Sequence, residues 1–320
     1  MYQFYGRLSE QFPSQIIVDA TEQCNLACTH CPHPRFKLSS HYSGRHLDPV
    51  LNGKMVDEVR EFGKNITQYI RYTANGEPLL HPGIFDMLDY AGKNSGTPVC
   101  LTSNGTALTE SNIEKLVAAE IHLIDVSLDA FEEETYHTIR YPGHLPSVRK
   151  KVLNLIELRE KHASALKVVV SYVEQPGNQN ETSDFERFWR DHGADYVVVR
   201  RLHSSAGANP DIASELKKDP SSEPRRPCLY PWERITLNPK GFLAFCPTDW
   251  VHGSLIADYR ETSIHETWKS RFYEQLREAH LCNRFGDHPF CGQCPDWKLT
   301  RWPEEGRSYA NMITEFFHEE

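Results

Sequence analysis

The chain carries three cysteines within eight positions, in the stretch Thr21-Glu22-Gln23-Cys24-Asn25-Leu26-Ala27-Cys28-Thr29-His30-Cys31. Cysteine thiolates are the usual ligands of iron–sulfur clusters, and a cluster commonly takes four of them. A loop that supplies only three leaves one iron open to bind another molecule. A structural zinc loop is the alternative, because His30 or His33 could complete a tetrahedral site.

Six apolar runs around this loop alternate with helical patterns and predict an α/β fold. The predicted strands are residues 15–20, 67–73, 98–102, 123–129, 166–172 and 196–201. The predicted helices are residues 50–62, 82–94, 110–119, 147–162 and 184–192. This alternation favours parallel strands with right-handed crossovers. The cysteine loop then follows the carboxyl end of the first strand, which is where barrel enzymes keep their chemistry.

The Cys-x3-Cys-x2-Cys spacing resembles that of the radical S-adenosylmethionine (SAM) enzymes. In that family a [4Fe–4S] cluster holds the amine and carboxylate of SAM at its open iron. One electron then cleaves SAM to a 5′-deoxyadenosyl radical, which abstracts a hydrogen atom from the substrate. The resemblance implies that Cys24, Cys28 and Cys31 bind this cluster. It also implies a partial (β/α)6 TIM-like barrel with a lateral opening for substrate.

Later strand ends also resemble motifs of this family. Residues 74–78 (Ala-Asn-Gly-Glu-Pro) resemble its Gly-Gly-Glu-Pro motif, with Asn75 in place of the first glycine. Glu77 would accept hydrogen bonds from the SAM ammonium, and Arg140 would pair with the SAM carboxylate. The resemblance implies the following SAM-binding residues: His30, Asn75, Gly76, Glu77, Ser103, Asn104, Ser127, Asp129 and Arg140.

A second set of cysteines follows a polar segment rich in Pro, Ser and Lys: Cys228, Cys246, Cys282, Cys291 and Cys294. A predicted hairpin with its turn at residues 238–241 separates the first two. The layout resembles the twitch variety of the SPASM domain. This implies that Cys228, Cys246, Cys291 and Cys294 bind one auxiliary [4Fe–4S] cluster, although a zinc ribbon would use the same four thiolates.

The resemblance gives predicted domain limits. Residues 1–202 form the barrel, 203–227 a linker, 228–300 the small C-terminal twitch/SPASM iron–sulfur domain and 301–320 a tail with one helix. Cys100 lies inside an apolar strand and is predicted to be a core residue. Cys282 is left over: it is a spare buried cysteine, a substitute cluster ligand or a hydrogen-atom donor.

The twitch layout resembles radical SAM dehydrogenases of aminocyclitol antibiotic pathways. The resemblance implies an oxidoreductase that acts on a polar small molecule, such as an aminocyclitol, an aminoglycoside or a sugar derivative. It also implies an electron donor such as flavodoxin or ferredoxin. The candidate catalytic residues are Arg201, His203 as a general base, and Cys282. Three alternatives remain: an epimerase that uses Cys282, a peptide-modifying SPASM enzyme, and a non-catalytic metal-binding module.

The composition limits the partners. A net charge of −9 over 320 residues argues against a nucleic-acid partner, which calls for a basic face. The sequence has no apolar run of transmembrane length and no basic-then-apolar start of a signal peptide. The cysteines are spaced as metal ligands and not as a disulfide framework, which predicts a reducing cytoplasm.

Overall fold

The computed structural model describes residue 4 and residues 8–218, 225–299 and 309–317. These residues form a nine-stranded sheet in the order β6-β5-β4-β3-β2-β1-β7-β8-β9. The strands are β1 (Gln15–Val18), β2 (Tyr69–Tyr72), β3 (Val99–Ser103), β4 (Leu123–Ser127), β5 (Lys167–Glu174), β6 (Tyr196–Arg201), β7 (Arg234–Leu237), β8 (Phe242–Ala244) and β9 (Leu255–Asp258).

Strands β1 to β6 pair consecutively and in parallel, as expected for a partial (β/α)6 barrel. The helices between them are α1 (His33–Phe36), α2 (Pro49–Phe62), α3 (Ile84–Asn94), α4 (Glu110–Ala118), α5 (Glu133–Ile139), α6 (Leu145–Lys161) and α7 (Thr182–Asp191). Five of them match the predicted helices, whereas the short α1 and α5 were not predicted. The predicted α/β barrel is confirmed.

The two faces of the barrel strands carry different residues, because successive side chains point to opposite sides of a strand. The outward face includes Ile16, Ile70 and Val99 and belongs to the main core under the helices. The inward face begins, at the amino ends of the strands, with an apolar layer of Ile17, Tyr69, Cys100, Leu123 and Val169. Cys100 is therefore the core residue that the sequence predicted.

Helix α13 (Tyr309–Phe317) packs against this apolar inner layer through Met312 and Ile313, both of which are buried. A helix at 309–317 was predicted, with a possible role as a cap over the site. Met312 and Ile313 lie in the amino-end layer of the barrel interior, and Tyr309 at the start of the helix lines the cavity described below. The rest of the predicted tail lies outside the described residues.

The predicted hairpin is present as β7 and β8, which pair antiparallel. The sequence did not predict that β7 also pairs in parallel with β1, from Gln15 opposite Arg234 to Val18 opposite Leu237. The second cysteine set is therefore attached to the barrel sheet itself. Its further helices are α9 (Tyr230–Glu233), α10 (Ile264–Trp268), α11 (Arg271–Cys282) and α12 (Pro289–Gln293).

The segment 203–227, predicted as a linker, contains helix α8 (Pro210–Lys218). Its first residues are also fixed to the second cysteine region, since the backbone N–H and the hydroxyl of Ser204 donate to Asp296 Oδ1 at 2.8 and 2.6 Å. Residues 219–224 lie outside the described part of the chain. Among the described helices, none combines the length and the apolar character that a membrane crossing requires.

Candidate functional site

The cysteine loop follows β1 and is fixed to the end of α5. The backbone N–H groups of Ala27 and Thr29 donate to the carbonyls of Tyr141 and Ile139 at 2.6 and 2.9 Å. Burial raises the pKa of Cys28 to about 11, and burial together with the neighbouring Cys28 charge raises the pKa of Cys31 to about 12. The three sulfurs are thus close enough to influence one another, as ligands of one cluster would be.

Arg140 supplies positive charge beside this loop. Its Nε and Nη2 lie 2.8 and 2.6 Å from Asp129 Oδ2, and both side chains are buried. The Arg140 charge lowers the pKa of Cys24, Cys28 and Cys31 against the larger effect of burial. His30 Nε2 lies 3.6 Å from the same Asp129 oxygen, and burial lowers the His30 pKa to about 4, so the imidazole is neutral.

The predicted SAM-binding residue Ser127 contacts the neighbouring strand β5. Ser127 Oγ is 3.5 Å from Ser171 Oγ on the neighbouring strand. The roles of Ser127 and Arg140 in SAM binding stay predictions, and Asp129 already orients the arginine.

Glu77 joins the second and third strand ends. Its Oε1 accepts from Ser103 Oγ at 2.8 Å, and its Oε2 accepts from the Asn104 N–H at 2.7 Å. Burial raises the Glu77 pKa. Asn104 Nδ2 in turn donates to Asn25 Oδ1 at 3.0 Å and lies 4.0 Å from Cys24 Sγ. The predicted motif residues therefore converge on the cysteine loop.

Gly76 brings the same motif against the backbone of the cysteine loop. A Cβ at this position would lie 2.0 Å from the Thr21 carbonyl oxygen and 2.7 Å from the Gln23 carbonyl oxygen. Asn75, in place of the family's first glycine, donates from Nδ2 to the Asp249 carbonyl at 3.0 Å. Ala74 has a positive φ of 95°, whereas Asn75 does not. Asn75 therefore replaces the family's glycine without backbone strain.

The four cysteines predicted as auxiliary ligands line one cavity of about 470 Å³. Burial raises the pKa of Cys294 to about 12, and the charges of Cys228, Cys246 and Cys294 raise the pKa of Cys291 further. Arg225 faces this set, donating to the Cys291 and Gly292 carbonyls at 2.5 and 3.0 Å. Each cysteine set thus has an arginine beside it.

The four auxiliary cysteines are not grouped as ligands of one metal ion in the part of the chain that the structure describes. Within residues 8–218, 225–299 and 309–317, no three His, Cys, Asp or Glu side chains form a group that could hold one metal ion. Four thiolates on zinc would stand about 3.8 Å apart, given a Zn–S distance of about 2.3 Å. Four thiolates also suit an iron–sulfur cluster, which is the group that their spacing along the chain predicts.

The same cavity reaches the inner face of the barrel, where Arg71, Arg200, Arg201 and His203 line it. His203 is half-exposed, and its Nδ1 accepts the Ser205 N–H at 3.1 Å. In the neutral ring the proton therefore lies on Nε2, which can donate but cannot accept a proton. This arrangement disfavours the predicted role of His203 as a general base.

Cys282 lies at the exposed end of α11 and is absent from the lining of the cavity. The sequence favoured a buried spare cysteine here, and that expectation was wrong, because α11 turns its last residue to solvent before the left-handed cap at Asn283. The exposed position gives no support to a hydrogen-donor role for Cys282.

Sequence reasoning missed a polar layer above the apolar inner layer: Arg71, Thr102, Asp125, Ser171 and Tyr309. A usable signal was present. Arg71 and Asp125 each interrupt an otherwise apolar strand at an inward position, and a charged residue there needs a partner or a ligand.

Two family models match the chain. Residues 18–173 match the radical SAM superfamily, and residues 228–295 match SPASM, an iron–sulfur cluster-binding domain. The radical SAM domain implies a [4Fe–4S] cluster and SAM, and the SPASM domain implies auxiliary iron–sulfur clusters. The cofactors that the sequence predicted are thereby confirmed.

Curated relatives match part of the chain. An AdoMet-dependent heme synthase of Methanosarcina barkeri is 34% identical over 149 residues, 47% of this chain and 40% of its own length. The mycofactocin maturase MftC of Mycolicibacterium smegmatis is 26% identical over 232 residues, 71% of this chain and 54% of its own length. The chain thus spans about half the length of these relatives or less.

Solved structures share the fold. BtrN, in complex with AdoMet and 2-DOIA, superposes with a TM-score of 0.62 at 16% identity, covering 89% of this chain and 94% of BtrN. SuiB of Streptococcus suis, bound to the precursor peptide SuiA, gives a TM-score of 0.63 at 14% identity, covering 95% of this chain and 73% of SuiB.

Proposed function

We propose that this protein, a radical SAM enzyme with a SPASM cluster-binding domain, oxidises a hydroxyl group of a polar small molecule. The substrate class is an aminocyclitol, an aminoglycoside or another sugar derivative. The observation that carries the proposal is the shared cavity: its wall contains Cys228, Cys246, Cys291 and Cys294 together with Arg200 and His203 of the barrel. A substrate in this cavity lies beside the auxiliary cysteines.

When bound, the cofactors would supply a radical that removes a hydrogen atom and a cluster that accepts the remaining electron, and the hydroxyl proton would pass to a water molecule. The chain's own residues prepare the SAM site for this chemistry. Glu77, fixed by Ser103 and the Asn104 N–H, presents a buried carboxylate to the SAM ammonium. Arg140, fixed by Asp129, offsets the thiolate charge of the cysteine loop.

The residues of the barrel rim position the substrate. Asp296 fixes the rim by accepting from the N–H groups of Ser204 and Ala206 at 2.8 and 2.7 Å. His203, with its proton on Nε2, can donate to a substrate oxygen. Arg201 follows Arg200 at the end of β6 and lines the same cavity. We assign His203 and Arg201 to substrate positioning, in place of the base role predicted for His203.

A peptide-modifying reaction is the second candidate. Its support is the similarity to MftC over 71% of the chain and the fold shared with peptide-bound SuiB. The cavity of about 470 Å³ favours the small-molecule proposal, since it has the size of a small-molecule pocket. The epimerase alternative rested on Cys282, which lies outside that cavity.

The test is an anaerobic iron and sulfide count on reconstituted protein, paired with SAM cleavage driven by reduced flavodoxin or ferredoxin. The parent should hold about eight irons, four in each cluster. Replacing Cys24, Cys28 and Cys31 by Ala should leave about four irons and abolish 5′-deoxyadenosine formation. Replacing Cys228 and Cys246 by Ala should also leave about four irons, yet SAM cleavage should continue.

Cys282→Ala is the matched control, because this cysteine is exposed and outside the cavity. It should keep both clusters and full turnover. A parent protein that contains zinc in place of the second cluster would overturn the oxidation proposal. A protein that is apo or holds only zinc and never forms 5′-deoxyadenosine would favour the non-catalytic metal-binding module.

A further inference from the structure

We infer that the barrel wall of the cavity binds an oxyanion of the substrate, a carboxylate or a phosphate, through Arg71 and Arg200. This inference rests on the proposed oxidation at this site, and within the proposed substrate class it favours acidic sugar derivatives over aminocyclitols and aminoglycosides. Its basis is the contacts of these two arginines, the different exposed fractions of their side chains and the positive charge that Asp125 does not neutralise.

Both guanidinium groups bind the same carboxylate. Arg71 Nη2 and Arg200 Nη2 lie 2.8 and 2.6 Å from Asp125 Oδ2, while Asp125 Oδ1 accepts from the hydroxyl of Ser171. Arg71 Nε is also bound, to Thr102 Oγ1 at 2.8 Å. Arg71 is therefore held in one orientation, so an incoming ligand would not have to order it, and Arg200 is anchored to the same carboxylate through Nη2.

The charges of this group do not balance. Two guanidinium groups face one carboxylate, which leaves one positive charge in a largely buried place. Among the described residues, no second carboxylate lies within ion-pair distance of either arginine. The ring of Tyr309 lies 4.0 Å from the Arg71 guanidinium and covers it without neutralising it. A buried surplus charge is costly unless a counter-charge arrives.

Arg225 is the arginine that faces the auxiliary thiolates, at the other end of the cavity. The exposed fractions of the three side chains also point to a ligand. Asp125 is fully buried, whereas the side chains of Arg71 and Arg200 keep 13% and 31% of their surface exposed, and both line the cavity. The exposed parts of both arginines therefore border the cavity where a substrate would lie.

The apolar layer beneath these arginines strengthens the attraction. Tyr69, Leu123 and Val169, with Met312 of α13, keep water away from that side. A charge-assisted hydrogen bond is stronger in such a place than in water. The same surplus would repel the ammonium group of an aminocyclitol. The favoured substrate is therefore a sugar acid or a sugar phosphate, and not an amino sugar.

Anaerobic calorimetry on the reconstituted holoprotein with SAM tests this inference. The four probes share one ring and differ in charge: glucose, glucosamine, glucuronate and glucose 6-phosphate. We expect the two anions to bind about tenfold or more tightly than glucose, as a charge-assisted hydrogen bond allows, and glucosamine to bind more weakly still. A difference between glucuronate and glucose 6-phosphate would separate a carboxylate site from a phosphate site.

Arg200→Gln should abolish the preference for anions, and Arg200→Lys should retain part of it. Arg190→Gln is the matched control, since this arginine is 63% exposed on α7 and is not among the residues that line the cavity. The anion preference of this variant should equal that of the parent. A parent that binds glucosamine as tightly as glucuronate, or binds none of the probes, overturns the inference. So does an anion preference that survives Arg200→Gln.

Binding is measured without turnover, which keeps this inference separable from the proposed oxidation. Failure of the oxidation would appear in the iron count and in the reaction products, while the anion preference would stand. Each variant's iron content and circular dichroism spectrum must match those of the parent, and Arg200→Lys keeps the test valid if Arg200→Gln does not fold.

Discussion

Replacing Gly76 by Ala should disable SAM cleavage without removing any ligand or charge. The added Cβ would lie 2.0 Å from the Thr21 carbonyl oxygen, whereas such contacts require 3.0 Å or more, so the backbone must move by about 1 Å. The atoms in its way are backbone atoms of the loop that leads to Cys24, and they cannot rotate aside as a side chain would. A displacement of about 1 Å in a reacting constellation costs on the order of a hundredfold in rate.

The assay is 5′-deoxyadenosine formation under a chemical reductant, with iron content measured on the same sample. Gly177→Ala is the matched control, because a Cβ there would have no atom within 4 Å. We expect the control to match the parent and Gly76→Ala to lose about a hundredfold in rate. If Gly76→Ala cleaves SAM within threefold of the parent rate at full iron content, the argument that this glycine sets the approach of the two segments is refuted.

Three further predictions follow from the same structure. Arg140→Met should lower the free energy of unfolding by about 3–5 kcal/mol in chemical denaturation, because it leaves the buried Asp129 without its partner. Arg190→Met, which breaks an exposed ion pair, should lower it by less than about 1 kcal/mol. Equal losses in the two variants would contradict the argument. The rate of cluster reconstitution, measured by the absorbance of the clusters, should rise from about pH 7 to about pH 9. The raised thiol pKa values of Cys28 and Cys31 mean that cluster assembly must release protons. A rate that does not change with pH would refute this prediction. Ile313→Ala should destabilise the protein by about 2–5 kcal/mol in a urea titration, since Ile313 is fully buried against the barrel interior. Val251→Ala, at an exposed position, should change the free energy of unfolding by less than about 0.5 kcal/mol. Similar losses in the two variants would show that α13 contributes little to stability.

The barrel could be predicted because its signals are local. Each strand is a short apolar run, each helix has its own period, and the spacing of the cysteines is read along the chain. For most strands the predicted boundaries agree with the observed ones to within about two residues, and for β6 (Tyr196–Arg201) they agree at both ends. The motif at 74–78 was found for the same reason.

What could not be predicted depends on contacts distant in sequence. Pairing of β7 with β1 joins residues more than two hundred positions apart, and no local pattern encodes it. The shared carboxylate of Arg71 and Arg200 needs three strands to come together. Helix α8 was taken for linker because its polar composition hides a helix with few buried residues.

The parallel pairing of β1 with β7 has a consequence for how the chain reaches its native state. While the ribosome is still making the first two hundred residues, β1 is an open edge, with backbone groups ready to pair with any passing strand. Only when Arg234–Leu237 emerge can that edge be closed. Long-range pairing of this kind is slow and exposes intermediates to aggregation. Fragments ending before residue 228 should therefore precipitate on expression, and chaperone demand should be greatest late in synthesis.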